Sequence, residues 1–324
     1  MYKAEREGKE MEGKKNRNSL IDITRLFCAI LVVAIHTRPF DSLKSAALID
    51  AIGKINSIAV PMFLLIAGAF FWEKAEHNGV AYAKKYLRRI MTMYVFWSAL
   101  YAVYTYCVYY DFSTLGSFIK LFVCQLLYYG TYDHLWYFVC VIYCVLLSIL
   151  FLHYFKMGFI RKYIFSFFFA LYILLFFVIR QQLPTEAKRI LYNMPFFFLG
   201  TRAFQKDTKH HTVIILVISL VSLILEWRFV DIGYYPFSLF VFLPNLFRYM
   251  SMHEKTWIRL NRFGRYAQIT SSIMYTSHYF IILFLERIIR FRKGDLIFLI
   301  TVAAELAFGW LVSRCKWNGL RYII

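Results

Sequence analysis

Cysteine is scarce and unpatterned in this chain. The six residues (Cys28, Cys107, Cys124, Cys140, Cys144, Cys315) fall mostly within apolar runs and show no CxxC spacing. That excludes a zinc cluster or a disulfide framework; the six read as small buried hydrophobes, and no metal is expected. Acidic residues are few as well, 19 against 38 Lys and Arg, leaving a net charge of +19. The basic residues lie in short clusters between apolar runs, a pattern of membrane topology that excludes nucleic acid as the partner. The first apolar run ends without a small-x-small cleavage site, and residues 1–18 mix both signs of charge. No cleavable signal peptide is therefore expected, and the run reads as an uncleaved first span. No internal repeat is visible, which argues against transporters built from inverted halves. A soluble domain is missing too, since the longest loops run to about twenty residues.

What the chain has in abundance is apolar surface: 60% hydrophobic and 20% aromatic residues, with a mean hydropathy of +0.53. It reads as all-α, a multi-pass integral protein of the cell membrane whose first partner is the lipid bilayer. About ten spans are expected, at 19–37, 55–72, 90–110, 134–153, 163–180, 190–204, 212–229, 235–250, 270–290 and 295–313. Several are shorter than the ~20 residues of a perpendicular helix. The piece 115–130 is apolar but short and carries Lys120, which suits an interfacial or re-entrant helix. The chain divides into a charged tail, 1–18, and a single membrane domain, 19–324. With the N-terminus inside, the cytoplasmic segments hold 25 Lys and Arg and the outer ones 12. Both termini are therefore expected in the cytoplasm.

Within the first span, LIDITRLFCAILVVAIHTRPF, three polar residues interrupt the apolar run: Asp22, Arg25 and His36. At about 100° per residue, the eleven steps from Arg25 to His36 make roughly three turns, so both point the same way about 16 Å apart. Asp22 lies three residues before Arg25, where side chains are neighbours. Ionisable groups at membrane depth face protein or water and mark function by default.

Several segments resemble, in order, the membrane-bound acyltransferase-3 family, which O-acetylates cell-surface glycans and related acceptors. IDITRLFCAILVVAIHT is similar to its first span, with an arginine and a histidine separated by ten residues. PMFLLIAGAFFW (61–72) resembles its second span and KKYLRRIMTMYVFW (84–97) its basic approach to the third. HLWYFVCVIYCVLL (134–147) resembles its Leu-Trp element, while NMPFFFLG (193–200) and SSIMYTSHYFI (271–281) match more loosely a mid-chain span and a late Tyr-x-x-His. Ala67 stands where a serine often precedes the glycine, and Thr92 and Met93 where a proline commonly follows the arginines. Neither departure removes a group expected to handle protons.

Acyl transfer from a thioester to a hydroxyl needs a base and an oxyanion stabiliser. His36 suits the base, its tautomer set by a nearby carboxylate or carbonyl, or else a covalent acyl-histidine nucleophile. The competing structural reading is a histidine that caps the first span. Arg25 stays charged and must be paired or face an anion. It is expected to serve acyl-CoA phosphates or carbonyls, with Asp22 in support, although Asp22 neutralising Arg25 is the structural alternative. Arg88 and Arg89 suit the anionic end of acyl-CoA, and ordinary positive-inside anchoring explains them equally well. His278, with Ser277 and Tyr275 beside it, is expected to line the tunnel or to pack. Trp136 and Tyr137 read as interfacial belt residues or as a stacking surface for sugar. Glu286 and Glu305 are expected to pair with basic residues such as Arg287 or Arg290, or to mark a polar cavity.

The resulting expectation is an O-acyltransferase, most readily an acetyltransferase. It would use acetyl-CoA as co-substrate, with no tightly bound cofactor, and a glycan or lipid-linked saccharide as hydroxyl acceptor. A transporter or uptake-type relative binding an anionic or polar solute at Asp22, Arg25 and His36 is the alternative. A polysaccharide polymerase or flippase fits less well, since those usually carry larger loops or longer repeats.

Overall fold

The computed structural model describes residues 18–43, 45–109, 115–128, 130–179, 182–204, 209–230, 235–253, 261–290 and 293–314. The expected tail 1–18, all but Asn18, and Cys315 lie outside them. Eleven α-helices occur among the described residues: α1 Ser19–Thr37, α2 Ala46–Ser57, α3 Ala59–Tyr109, α4 Leu115–Tyr128, α5 Trp136–Tyr154, α6 Met157–Leu174, α7 Thr185–Leu199, α8 Lys209–Phe229, α9 Leu239–Met252, α10 Asn261–Leu283 and α11 Gly294–Arg314. A π-turn extends α6 over Leu175–Ile179 and another extends α10 over Phe284–Ile288.

Each of the ten expected spans overlaps a helix, but the boundaries move. α6 begins six residues earlier than expected, at Met157, and α10 nine earlier, at Asn261. Residues 73–89, expected as a loop, are helical on both sides of Gly79, whose non-helical backbone (φ 53°, ψ −142°) divides α3 into two helices, one for the second expected span and one for the third. The segment 38–54, also expected as a loop, contains most of α2.

Six stretches are long and apolar enough to cross a membrane: Ser19–Thr37, Ala46–Val108, Trp136–Tyr154, Met157–Val178, His210–Phe229 and Gly294–Arg314. α7, α9 and α10 fall outside that set because they are short or rich in polar side chains, and they lie inside the bundle. A helix surrounded by protein needs no continuous apolar surface, because neighbouring helices satisfy its polar groups. α8 shows the opposite condition, exposing Ile214, Val217, Ile218, Val221, Ile224 and Leu225 around its surface. An apolar face of that extent suits lipid.

α1 packs most extensively on α10, and α3 crosses α7 where two glycines meet. A Cβ on Gly68 would lie 2.0 Å from the Phe197 carbonyl oxygen, and one on Gly200 would lie 2.3 Å from Ala69 N. Only glycine at both positions lets the backbones approach this closely.

The connecting segments sort by end. At the His36 end, Asp295 at the start of α11 accepts from Phe40 N (2.5 Å) and Ser42 Oγ (3.1 Å), and Lys54 Nζ on α2 donates to the Trp227 carbonyl (2.6 Å). At the opposite end Asn18 donates to the Met250 carbonyl, Arg161 pairs with Glu76, and Arg248 donates to the Arg202 carbonyl. Segments expected on the same side of the membrane thus meet at the same end.

Candidate functional site

α1 ends in a left-handed residue, Arg38 (φ 45°), whose N–H returns to the Ala34 carbonyl. His36 therefore lies in the last turn, where a helix C-terminus favours positive charge. Its side chain, 13% exposed, reaches a cavity of about 1010 Å³. Around it the lining includes Arg38, Asp41, Asn56, Asp133, His134, Trp136, Arg189, Asn193, Tyr235, Tyr275 and Tyr279.

The turn before α5 brings two of these residues to His36. Gly130 (φ 96°) folds the chain so tightly that a Cβ there would lie 2.7 Å from Trp136 N. The turn delivers Asp133, whose Oδ2 lies 3.7 Å from His36 Nδ1 and whose Oδ1 accepts from Arg189 NH1 at 2.7 Å. The His36 contact has ion-pair length, longer than a formed hydrogen bond. It aims a carboxylate at Nδ1, which favours the proton there and leaves Nε2 as the basic nitrogen.

Two further imidazoles stand behind His36. Ring centroids lie 5.3 Å from His36 to His278, 6.4 Å to His134, and 4.9 Å between the latter two. His278 Nδ1 lies 2.7 Å from the Met274 carbonyl, and His134 Nε2 lies 3.3 Å from the Thr276 carbonyl. A carbonyl accepts only, so these nitrogens carry the protons. The other nitrogen of each ring, Nε2 of His278 and Nδ1 of His134, is buried without a partner. Tyr275 fixes the assembly by donating to the His134 carbonyl at 2.7 Å. Despite three imidazoles, no group of three or more His, Cys, Asp or Glu among the described residues is arranged to hold a metal ion.

Arg25 is half-buried farther down α1, and its Nε is buried without a hydrogen-bond partner. It lies within electrostatic reach of Tyr86 and Tyr137. Tyr137 packs on Tyr275 (5.1 Å), whose ring is 6.2 Å from His134. A tyrosine path therefore joins the arginine to the histidines. Asp22 is buried, yet no ion pair joins it to Arg25. The structural alternative for Arg25, neutralisation by Asp22, is corrected to that extent: three residues of spacing permits the contact, but no ion pair is formed between the two. Arg88 and Arg89 are exposed on α3 away from the cavity, and Arg89 lies within electrostatic reach of Tyr86. Glu305 accepts from Ser277 and pairs with no arginine among the described residues, and Glu286 forms no ion pair with Arg287 or Arg290.

The structure thus gathers His36, Trp136, Tyr275 and His278, and leaves Arg25, Asp22, Arg88 and Arg89 toward the other end. Sequence reasoning missed Asp133, His134, Arg189 and Tyr279. His134 opens the Leu-Trp element and was legible as a second imidazole at a span boundary. Arg189 and Asp133 resemble ordinary loop charges until folding places them together.

A family model described as an acyltransferase domain, the acyltransferase-3 family, matches residues 18–314. A curated protein of Enterococcus faecalis, described as an amino-acid racemase, is 35% identical over 136 residues, which cover 38% of this chain and 18% of that protein. This chain thus spans a small fraction of that relative. No solved structure matches the chain. With its helical, lipid-facing bundle and a match running nearly end to end, the chain belongs to the acyltransferase-3 family.

Proposed function

We propose that the protein is an O-acyltransferase of the cell membrane. It moves an acetyl or short acyl group from cytoplasmic acyl-CoA to a hydroxyl of a cell-surface glycan or lipid-linked saccharide. The observation that carries this reading is the pairing on α1: His36 held against Asp133 in the cavity, and Arg25 with an unsatisfied N–H about three turns away. Both termini lie in the cytoplasm in this reading, supported by the count of 25 inner against 12 outer Lys and Arg. The cavity then faces outward, toward the acceptor.

Acyl-CoA enters from the Arg88 and Arg89 end, and its extended pantetheine arm runs past Tyr86 and Tyr137. Arg25 grips its phosphate or carbonyl oxygens with paired N–H donors. The acceptor lies in the cavity, with Trp136 and Tyr235 as aromatic walls and Asn193, whose Oδ1 is buried and unpartnered, as a hydrogen-bond acceptor. His36 Nε2 takes the proton of the hydroxyl as its oxygen bonds to the thioester carbon. The tetrahedral oxyanion collapses, the C–S bond breaks, and the leaving thiolate takes that proton back from His36. Asp133 stabilises the transient imidazolium through Nδ1, and Arg189 holds Asp133 in place.

The test is donor dependence. Membranes supplied with labelled acetyl-CoA should transfer label to an acceptor, and a His36→Ala variant should not. Uptake of a solute with no labelled product would establish the transporter reading instead. Cysteine labelling should reach position 42 from outside intact cells and position 162 only after permeabilisation; the reverse pattern would overturn the orientation.

A further inference from the structure

The seam between α10 and α11 holds polar groups that acyl transfer does not use. Glu305, on α11, is 1% exposed and lies in the middle of a helix apolar enough to span a membrane. Its Oε1 is 2.7 Å from Ser277 Oγ on α10, and its Oε2 is buried with no partner. One turn earlier on the same face, Thr301 is fully buried and its hydroxyl also has no partner, although a helical threonine ordinarily bonds the carbonyl four residues back. Among the described residues no Lys, Arg or His lies within ion-pair distance of Glu305; Tyr101 of α3 lies in its electrostatic reach and adds no positive charge.

Ser277 compounds the deficit. Its single hydroxyl proton has two acceptors in range, the Ile273 carbonyl (2.8 Å) and Glu305 Oε1 (2.7 Å), and it serves one at a time. An ionised carboxylate inside a membrane with at most one shared hydrogen bond is severely under-compensated. The available ligands are carboxylate and hydroxyl oxygens, hard donors that suit a small, singly charged cation and no soft metal.

We propose that Glu305, Ser277 and Thr301 form an intramembrane site for one monovalent cation, filled by a proton or by Na⁺. The bound charge neutralises Glu305 and gives Oε2 and the Thr301 hydroxyl the partner they lack. Ser277 precedes His278, so occupancy also tightens the α10 backbone that presents the buried imidazole to His36. The site stands apart from the transfer chemistry, and its test needs no acyl donor or acceptor.

The experiment uses the purified full-length protein in lipid nanodiscs. If Na⁺ fills the site, ²²Na⁺ binds saturably at one per chain, and NaCl raises the thermal midpoint relative to choline chloride. Glu305→Gln abolishes both effects, and Ser277→Ala and Thr301→Val each weaken binding about tenfold, the loss of one ligand to a charged group. If a proton fills it, Na⁺ has no effect, and the infrared spectrum at neutral pH carries a protonated-carboxyl band. Glu305→Gln removes that band, while Ser277→Ala shifts it without removing it. Should Glu305→Gln fail to fold, the Ser277 and Thr301 variants give the same discrimination. If Na⁺ does not bind and no carboxyl band sensitive to Ser277→Ala is seen, the proposal is overturned.

Discussion

The two ends of α1 hold their ionisable groups in opposite ways. At one end His36 meets Asp133, which is itself held by Arg189, and two imidazoles pinned by backbone carbonyls stand behind. Around Arg25 lie the rings of Tyr86 and Tyr137, no carboxylate among the described residues forms an ion pair with it, and its Nε is left unsatisfied. A group that passes a proton back and forth gains from fixed geometry, because the hydrogen-bond partner selects its tautomer. A group that receives an anion gains from donors left open until the anion arrives. The same helix thus supplies one end built to be complete alone and one built to be completed.

The largest expected effect tests the complete end. Replacing His36 with Ala or Gln should lower transfer 100-fold or more, about the contribution of a general base, at unchanged protein level. Retention of more than about a tenth of the wild-type rate would remove His36 from the chemistry.

Arg25 is expected to come next. Arg25→Lys keeps the charge and loses the planar fork, so the KM for acyl-CoA should rise about tenfold with acceptor KM unmoved. Arg25→Ala should be more severe in the same direction. Because Asp22 and Arg25 do not pair, adding Asp22→Asn should restore neither activity nor protein level to Arg25→Ala. Rescue by that second change would make Arg25 a structural counter-ion and dissolve the contrast between the ends.

A smaller effect is expected at Asp133. Its 3.7 Å contact with His36 is long, so Asp133→Asn should lower kcat about tenfold or less while donor KM holds. Combined with Arg189→Ala, the loss should be less than the product of the two singly, since Arg189 acts through Asp133. Independent effects would show that Arg189 contacts substrate in its own right.

The smallest effect belongs to the lipid face. Val217→Ala on α8, at a residue 54% exposed, should leave activity unchanged and stability within about 0.5 kcal/mol by thermal denaturation. A large loss there would mean that α8 packs against another chain.

Composition and periodicity were enough for the helical class, the first span residue for residue, and the shared face of Arg25 and His36. Each is a local property: an apolar run of bilayer length leaves the backbone no alternative to helix, and helical pitch sets which side chains align. α10 was legible as a helix, though not as an interior one, because burial among protein neighbours relaxes the demand for apolar residues without announcing itself in one segment. Asp133, His134, Arg189 and Tyr279 come from three separate elements, so their meeting at His36 is a matter of packing alone. Likewise Asp22, three residues from Arg25, had the spacing of a partner, and only the folded bundle shows that the two form no ion pair. Glu305 carried the same ambiguity, since a sequence shows a membrane carboxylate but not what surrounds it. Local physics chose the helices, and the long-range contacts among α1, α5, α7 and α10 decided which of their polar groups became a site.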